Sequence, residues 1–264
     1  MRYQNLNSFP LNIPEMSLKT LQTRLTSLAA RTLKVRPARL AGQRPVASIS
    51  FDDFPKNAWT AGGPVLAKHG MRGTYYTAGG FCGRTVDGTV FYDETDLKEL
   101  AAAGHEIACH GFAHQPTPTL SPAELQRDAE RNTEFLKPFL NGGKPESYAF
   151  PYGRVSPRTK RFMAPRFSNV RGVHPGVNVG TVDLAQLNAV SLEKRCWDQG
   201  AIDAAINKVL HNKGWLVLYT HDVSDDPSPY GSTPAMLDWA LGRVATARIE
   251  VLPMHEAVNV ALGR

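Results

Sequence analysis

Residues 46–53 read Val-Ala-Ser-Ile-Ser-Phe-Asp-Asp. Six small, β-branched or aromatic residues run without a charge and then stop on two carboxylates. A run this short and apolar, closed by polar residues, reads as a strand buried on both faces. Seven more such runs follow: Gly73–Thr77, Glu106–Cys109, Tyr148–Phe150, Asn169–Val173, Val190–Glu193, Trp215–Thr220 and Ile249–Pro253. Between several of them lie stretches of helical composition, at Ala61–His69, Asp93–Ala103, Pro122–Leu140, Gln199–Asn212 and Thr233–Ala245. Ser121-Pro122-Ala123-Glu124 is a capping box with proline at the first helical position, and Gly104 is placed to close the helix before it. Strands alternating with helices imply βα units and a parallel sheet. Seven or eight units within the 220 residues after Arg44 fit a barrel better than an open dinucleotide-binding sheet. No GxGxxG follows the first strand and no GxxxxGK[ST] occurs, so nucleotide-cradling loops have no support.

The 264 residues suffice for one large domain, and their 42% hydrophobic and 20% charged content is ordinary for a globular chain. The net charge of +6 is unevenly placed. Residues 1–44 hold eight Lys/Arg against Glu15 alone, which leaves 22 Lys/Arg against 23 Asp/Glu in the rest, a balance of −1. The basic character is therefore a leader, and the organisation expected is a basic, partly helical segment over 1–44 and a catalytic domain over 45–264. Within the leader, Leu18, Leu21, Leu25, Leu28 and Leu33 approach helical spacing, so an amphipathic helix is expected over 17–33. Packing on the main domain or on a sister subunit is its plainer role, which keeps a homo-oligomer open. A peripheral contact with an anionic membrane, such as the inner membrane, through residues 1–44 is the sharper one. No base-stacking motif accompanies the charge, so no nucleic-acid partner is expected. Glu15, Lys19, Arg24 and Arg31 interrupt any apolar signal core, and Cys82, Cys109 and Cys196 form no CxxC. These features favour a reduced, cytoplasmic setting.

The chemistry-bearing residues fall where the strands end. The first strand stops on Asp52-Asp53. The run Ile107–Cys109 ends at His110, with His114 four residues on. Phe150 leads into Pro151-Tyr152-Gly153, and Trp215–Thr220 ends on His221-Asp222. In a parallel barrel the C-terminal strand ends open on one face, where active sites are built. Two histidines and a carboxylate form a facial metal site with open positions, so His110, His114 and one of Asp52 and Asp53 are the expected ligands. The second Asp, whose carboxylate form a nearby cation favours, can serve as base toward a water that the metal acidifies toward a pKa of ~7. His221 is placed to be the general acid, and a backbone N–H would help hold an oxyanion, the arrangement of an acyl hydrolase. Taken singly, Asp-Asp is a turn and cap signal, His-x-x-x-His is common by chance, and His221-Asp222 is an ordinary hydrogen-bonding pair. The joint placement at strand ends carries the functional reading. His69, His105, His174, His211 and His255 read as solvated or core-satisfied, and Cys109 as a packing residue.

With these residues the sequence resembles the polysaccharide deacetylase family, the NodB-homology domain of carbohydrate esterase family four, over roughly residues 45–260. Its motifs correspond to Ser50-Phe51-Asp52-Asp53, to His110 and His114, to Pro151-Tyr152, and to His221. The resemblance implies a distorted, incomplete (β/α) barrel of about seven parallel strands. It implies Asp52 as base, His221 as acid, and the Tyr152 backbone N–H at the oxyanion. One divalent metal would sit on Asp53, His110 and His114, commonly zinc, with cobalt, nickel or manganese suited to the same set. The implied substrate is an N-acylated, most simply N-acetylated, carbohydrate in a glycan, oligosaccharide or glycolipid precursor. Departures from the pattern touch the substrate side. Phe54 replaces a glycine, Ala149 stands where an arginine orients the aspartate, and Tyr219 replaces a leucine of the acetyl pocket. The tryptophan-bearing motif before the last strand is not recognisable, with Trp197-Asp198 or Glu193 as candidates for its work. Phe54, Pro151 and Tyr219 are accordingly expected around the substrate, and Arg171 is expected to stand in for the absent arginine. The alternatives are the same machinery on an O-acetyl ester or a non-sugar amide, and a non-catalytic glycan-binding protein on this scaffold.

Overall fold

The computed structural model describes residues 26–264. Seven strands form a closed ring: β1 (Val46–Phe51), β2 (Thr74–Thr77), β3 (Glu106–Cys109), β4 (Ser147–Ala149), β5 (Asn169–Pro175), β6 (Leu187–Ser191) and β7 (Trp215–Thr220). All seven pairings are parallel, and β7 returns to β1 over six residue pairs, from Trp215 opposite Val46 to Thr220 opposite Phe51. The expected barrel is thus present, and it closes with seven strands. An eighth, β8 (Glu250–Val251), pairs only with Val46 and Ala47 and fills the edge of β1 that β2 leaves free. The distortion lies between β5 and β6, where the register shifts between Leu187 and Ala189 and no helix intervenes.

Alternation sorts each strand into two cores. Val46, Tyr76, Ala108, Ala149, Trp215, Val217 and Tyr219 form the cluster inside the barrel. Ile49, Phe51, Tyr75, Leu216 and Leu218 belong to a separate cluster with the surrounding helices. All six residues of β1 and of β7 are buried, as a two-sided parallel strand requires. The helices are α1 (Lys56–Thr60), α2 (Gly62–Lys68), α3 (Glu94–Ala102), α4 (Pro122–Leu136), α5 (Pro157–Met163), α6 (Gln199–Asn212), α7 (Pro234–Thr246) and α8 (Met254–Leu262). Capping boxes set three of their starts, with Asp93, Ser121 and Ser156 as N-caps; the second is the one read from the sequence.

Residues 1–25, which hold half of the expected 17–33 helix, lie outside the described residues. The described part of the leader packs on the barrel. Residues 26–32 are helical, Ala30 is fully buried, and Pro37–Arg39 pairs antiparallel with Thr181–Asp183. The contact turns on Lys160, whose buried Nζ donates to Ala30 O at 2.6 Å and Leu33 O at 2.7 Å and pairs with Asp183 at 2.7 Å. Asp183 in turn accepts the backbone N–H groups of Val35 and Arg36. Among the described residues no helix is long and apolar enough to cross a membrane, and Cys82, Cys109 and Cys196 are free thiols.

Candidate active site

The parallel register delivers the strand-end residues to one level. Asp52 N–H donates to Thr220 O, and His110 N–H to Thr77 O, so each polar residue starts where its strand's ladder ends. The backbone then turns sharply. Asp53 has φ 63°, Phe54 φ 58°, His114 φ 48° and Tyr152 φ 57°, all in the left-handed region that costs a residue with a Cβ. Four such residues at one rim mark a place where surrounding structure imposes the backbone.

Asp53 Oδ1 lies 3.2 Å from His110 Nε2 and 2.8 Å from His114 Nε2, and the three ligand atoms fall within 4.8 Å of one another. No other group of three such side chains is assembled among the described residues. His110 Nδ1 is 2.8 Å from Ala149 O, which can only accept, so Nδ1 carries the proton. In the neutral ring, Nε2 then presents a lone pair to a carboxylate oxygen. Asp53 Oδ1 and His114 Nε2 are both buried, and despite their separation they make no aligned hydrogen bond. Acceptors converging on acceptors is the donor set that a divalent cation completes, so the residues fit a metal. The loop between the histidines is pinned by Asp128 on α4, which accepts the N–H groups of Phe112 at 3.0 Å and Ala113 at 2.8 Å.

Asp52 is buried beside this cluster and ion-paired with Arg171 Nη2. Arg171 comes from β5 and lies wholly inside the barrel, its guanidinium 4.9 Å from the Tyr76 ring and 5.0 Å from that of Tyr219. Ala149, the residue opposite it on β4, leaves the room. Burial works against the charge of Arg171; the Asp52 carboxylate outweighs it, so the pKa stands above its ordinary value.

A cavity of about 370 Å³ opens here, walled by Asp52, Asp53, His110, His114, Tyr152 and Gly153 on one side and by Glu193, Tyr219, His221 and Tyr230 on the other. His221 Nδ1 faces Tyr230 O at 3.2 Å and the buried Glu193 Oε1 at 3.4 Å. The carbonyl can only accept, so Nδ1 holds the proton and Nε2 is the free position. Glu193 therefore occupies the place beside His221, while Asp198 caps α6 and Trp197 packs against Trp239. Tyr152 is 62% exposed, with its ring 4.5 Å from that of His114. Tyr219 lines the wall, where burial pushes its phenol up to about 12.

Two expected substrate neighbours lie elsewhere. Phe54 is fully buried, its ring stacked on Tyr92 at 4.7 Å, because the left-handed turn aims it into the helix-side core rather than the mouth. Pro151 is buried behind Tyr152 and does not reach the cavity. Arg171 does not reach it either and touches it only through Asp52. Arg154, Arg195, Val173 and Tyr230 line the cavity without having been singled out, since three of them sit on loops with no periodic signal. Cys109 is buried, its thiol pushed up to about 12, as suits a packing residue.

A parallel seven-stranded barrel with a carboxylate–imidazole centre at the C-terminal strand ends defines the class: a barrel built around a candidate metal site. Comparison with known proteins shows what the chain is similar to. Residues 40–164 match the polysaccharide deacetylase family. A chitin deacetylase of Arthroderma benhamiae is 25% identical over 120 residues, which are 44% of this chain and 30% of that protein's length. Among solved structures, a family 4 acetyl xylan esterase from Clostridium thermocellum, in complex with cobalt, superposes with a TM-score of 0.57 at 20% identity. The match covers 81% of this chain and 90% of that one. A family 4 carbohydrate esterase from Streptomyces lividans, in complex with acetate, gives 0.53 at 16% identity over 80% and 93%. At these identities the structures share the fold. Residues 40–164 are thus similar to the polysaccharide deacetylases, the family that the motifs resemble.

Proposed function

We propose that the protein is a metal-dependent hydrolase that removes an N-acyl group, in the simplest case acetyl, from an amino sugar. The observation that carries this reading is the pairing of Asp52 with Arg171 beside the Asp53–His110–His114 cluster, with His221 across a cavity large enough for a sugar unit. A divalent cation on Asp53, His110 and His114 supplies Lewis acidity at an acyl oxygen when bound, and zinc, cobalt, nickel and manganese all suit that set. Asp52, oriented by Arg171, accepts the proton of the attacking water. The Tyr152 N–H, carried on a left-handed turn at the wall, is offered to the developing oxyanion. His221, its Nδ1–H held by Tyr230 O and Glu193, acts as the imidazolium: a second proton, on Nε2, passes to the leaving nitrogen as the carbon–nitrogen bond breaks and leaves the neutral ring. Water is consumed, and a carboxylic acid and a free amine leave. The resemblance to a chitin deacetylase supports an N-acetylated carbohydrate over other amides.

The test is the metal content of purified protein, wild type beside His110→Ala and Asp52→Asn, with acetate release from N-acetylated and O-acetylated sugars side by side. Near one ion per chain in wild type and none in His110→Ala is expected. Asp52→Asn should keep the metal and lose about 10²–10⁴-fold in turnover, since an amide cannot take the proton. Undiminished turnover in Asp52→Asn would remove the base assignment. Faster release from the O-acetylated sugar would move the protein to the esterase reading, and metal-free wild type without turnover to a glycan-binding one.

A further inference from the structure

The cavity is one of three hollows that share walls. Arg154 lines both the cavity and a neighbouring groove, where it stands with Arg158 and Arg161. Arg161 lines both that groove and a larger cleft, where it stands with Arg36, Lys144 and Arg166. A path from the catalytic mouth along α5 thus carries six cations, and Glu146 in the far cleft is the one carboxylate on the walls of the two outer hollows.

These charges are uncompensated. Arg154, Arg158, Arg161, Arg166, Arg36 and Lys144 form no ion pair among the described residues, whereas Arg44, Lys68, Arg72, Lys194 and Arg243 elsewhere on the surface do. Where they are held, neutral carbonyls hold them. Arg158 donates to Pro118 O and Leu120 O, Arg36 to Ala164 O and Phe167 O, and Arg166 to Phe162 O while its guanidinium lies 3.5 Å over the Phe162 ring. Guanidinium groups fixed by carbonyls keep their full charge and lose little freedom on meeting an anion, which is the arrangement of an anion-binding track.

We infer that the substrate is an anionic glycan, a chain bearing carboxylates or phosphates on units flanking the one whose acyl group is removed, and that the Arg154–Arg161 track holds those units. The inference rests on the deacylase reading of the cavity and names the substrate class that the cavity takes. Chain continuity favours it over a lipid surface, because Arg154 lines the same cavity as Tyr152 and His221 and also the groove that leads away from it. It also supplies a route for release. Each acyl group removed leaves an ammonium, which the same track repels.

The experiment measures binding apart from turnover. Metal-loaded protein carrying Asp52→Asn is titrated with a hyaluronan octasaccharide, in which glucuronate alternates with N-acetylglucosamine, and with neutral chitohexaose. The hyaluronan fragment is expected to bind more tightly and to weaken as salt rises, while chitohexaose binding is salt-independent. Arg161→Gln and Arg154→Gln should each weaken the anionic ligand about threefold, and the pair on the order of tenfold. Arg161→Gln leaves chitohexaose affinity and the thermal midpoint unchanged, which separates lost charge from lost fold. Equal affinity for both oligosaccharides, or no effect of either substitution, overturns the inference. So does charge-dependent association with phosphatidylglycerol vesicles without oligosaccharide binding, which would assign the track to a membrane. An absence of acetate release from every sugar, with the charge preference intact, would count against the deacylase reading alone.

Discussion

Both ends of the barrel bury carboxylates beside imidazoles, and they do opposite things with them. At the N-terminal end, Glu106 opens β3. Its Oε2 accepts the Thr74 hydroxyl at 2.7 Å and the His255 N–H at 3.1 Å, with His255 Nδ1 at 3.3 Å. Helix α8 starts over this end, its Met254 N–H bonded to Thr74 Oγ1, and Arg72 locks it with a two-pronged contact to Glu256 at 2.6 and 2.7 Å. Two donors, the Thr74 hydroxyl and the His255 backbone N–H, meet Glu106 Oε2, while Glu106 Oε1 and His255 Nδ1 have no aligned partner, and the cleft of Trp59, Arg72 and His105 at this end is not lined by Glu106. At the C-terminal end, Asp53 meets His110 Nε2, whose ring proton sits on Nδ1, and His114 Nε2, with which it makes no aligned hydrogen bond, on strained backbone at the wall of a cavity. Residue type is therefore a poor guide to role. What separates the two carboxylates is their setting: Glu106 lies under the start of a helix, and Asp53 sits on a left-handed turn at the wall of a cavity.

Substitutions at the two ends should separate these roles. The largest effect is expected from Arg171→Met, which leaves Asp52 buried without its counter-charge. Loss of stability of about 3–5 kcal/mol is expected by chemical denaturation, together with loss of hydrolysis. Arg171→Lys should recover part of the fold and little of the rate, because an ammonium cannot reproduce the planar contact. Near-wild-type turnover in Arg171→Met would mean that Asp52 needs no orienting partner.

At the other end, Glu106→Gln should cost about 1–3 kcal/mol, since Thr74 and the His255 N–H lose a charged acceptor. Metal content and kcat should not change. A fall in metal occupancy at constant fold would show that the two ends are coupled and would break the comparison.

The smallest effect is on pH dependence. Burial would raise the pKa of Glu106, but His255 lowers it below its ordinary 4.5. Burial would lower that of His255, but Glu106 raises it above 6.5. The carboxylate's contribution is present above pH 4.5 and lost as pH falls through its folded value. The imidazole's is full below 6.5 and lost as pH rises through its own. The pair thus stabilises most between about pH 4.5 and 6.5, and the thermal midpoint of wild type minus that of Glu106→Gln should peak there. A flat difference across pH 4–9 would show that the pair is not charged in the fold.

Much of this was legible in the chain. The runs ending at Phe51, Cys109 and Thr220 mark strands that finish on Asp52-Asp53, His110 and His221, because a buried parallel strand tolerates no charge until its ladder ends. Less visible were Lys56–Thr60, Pro157–Met163 and Met254–Leu262, two of them too short for helical periodicity and the third following a strand of two residues. Asp128, Arg154, Arg195 and Tyr230 reach the site from a helix flank and from loops, where no local pattern distinguishes a functional residue from a solvated one.

The sequence by itself determined the strand order, the parallel barrel and the polar residues that each strand end presents, since burial and its interruption are local properties of a short run. The residues by themselves left open which aspartate faces the histidines, and the tertiary structure decided the direction of each. Asp52 and Asp53 are adjacent and chemically identical. One continues the alternation into the barrel, toward Arg171; the other turns at φ 63° toward His110 and His114. The pairing of Arg171 with Asp52, the place of Glu193 rather than Asp198 beside His221, and the burial of Phe54 in the core were decided the same way, by which side of a closed ring each side chain faces.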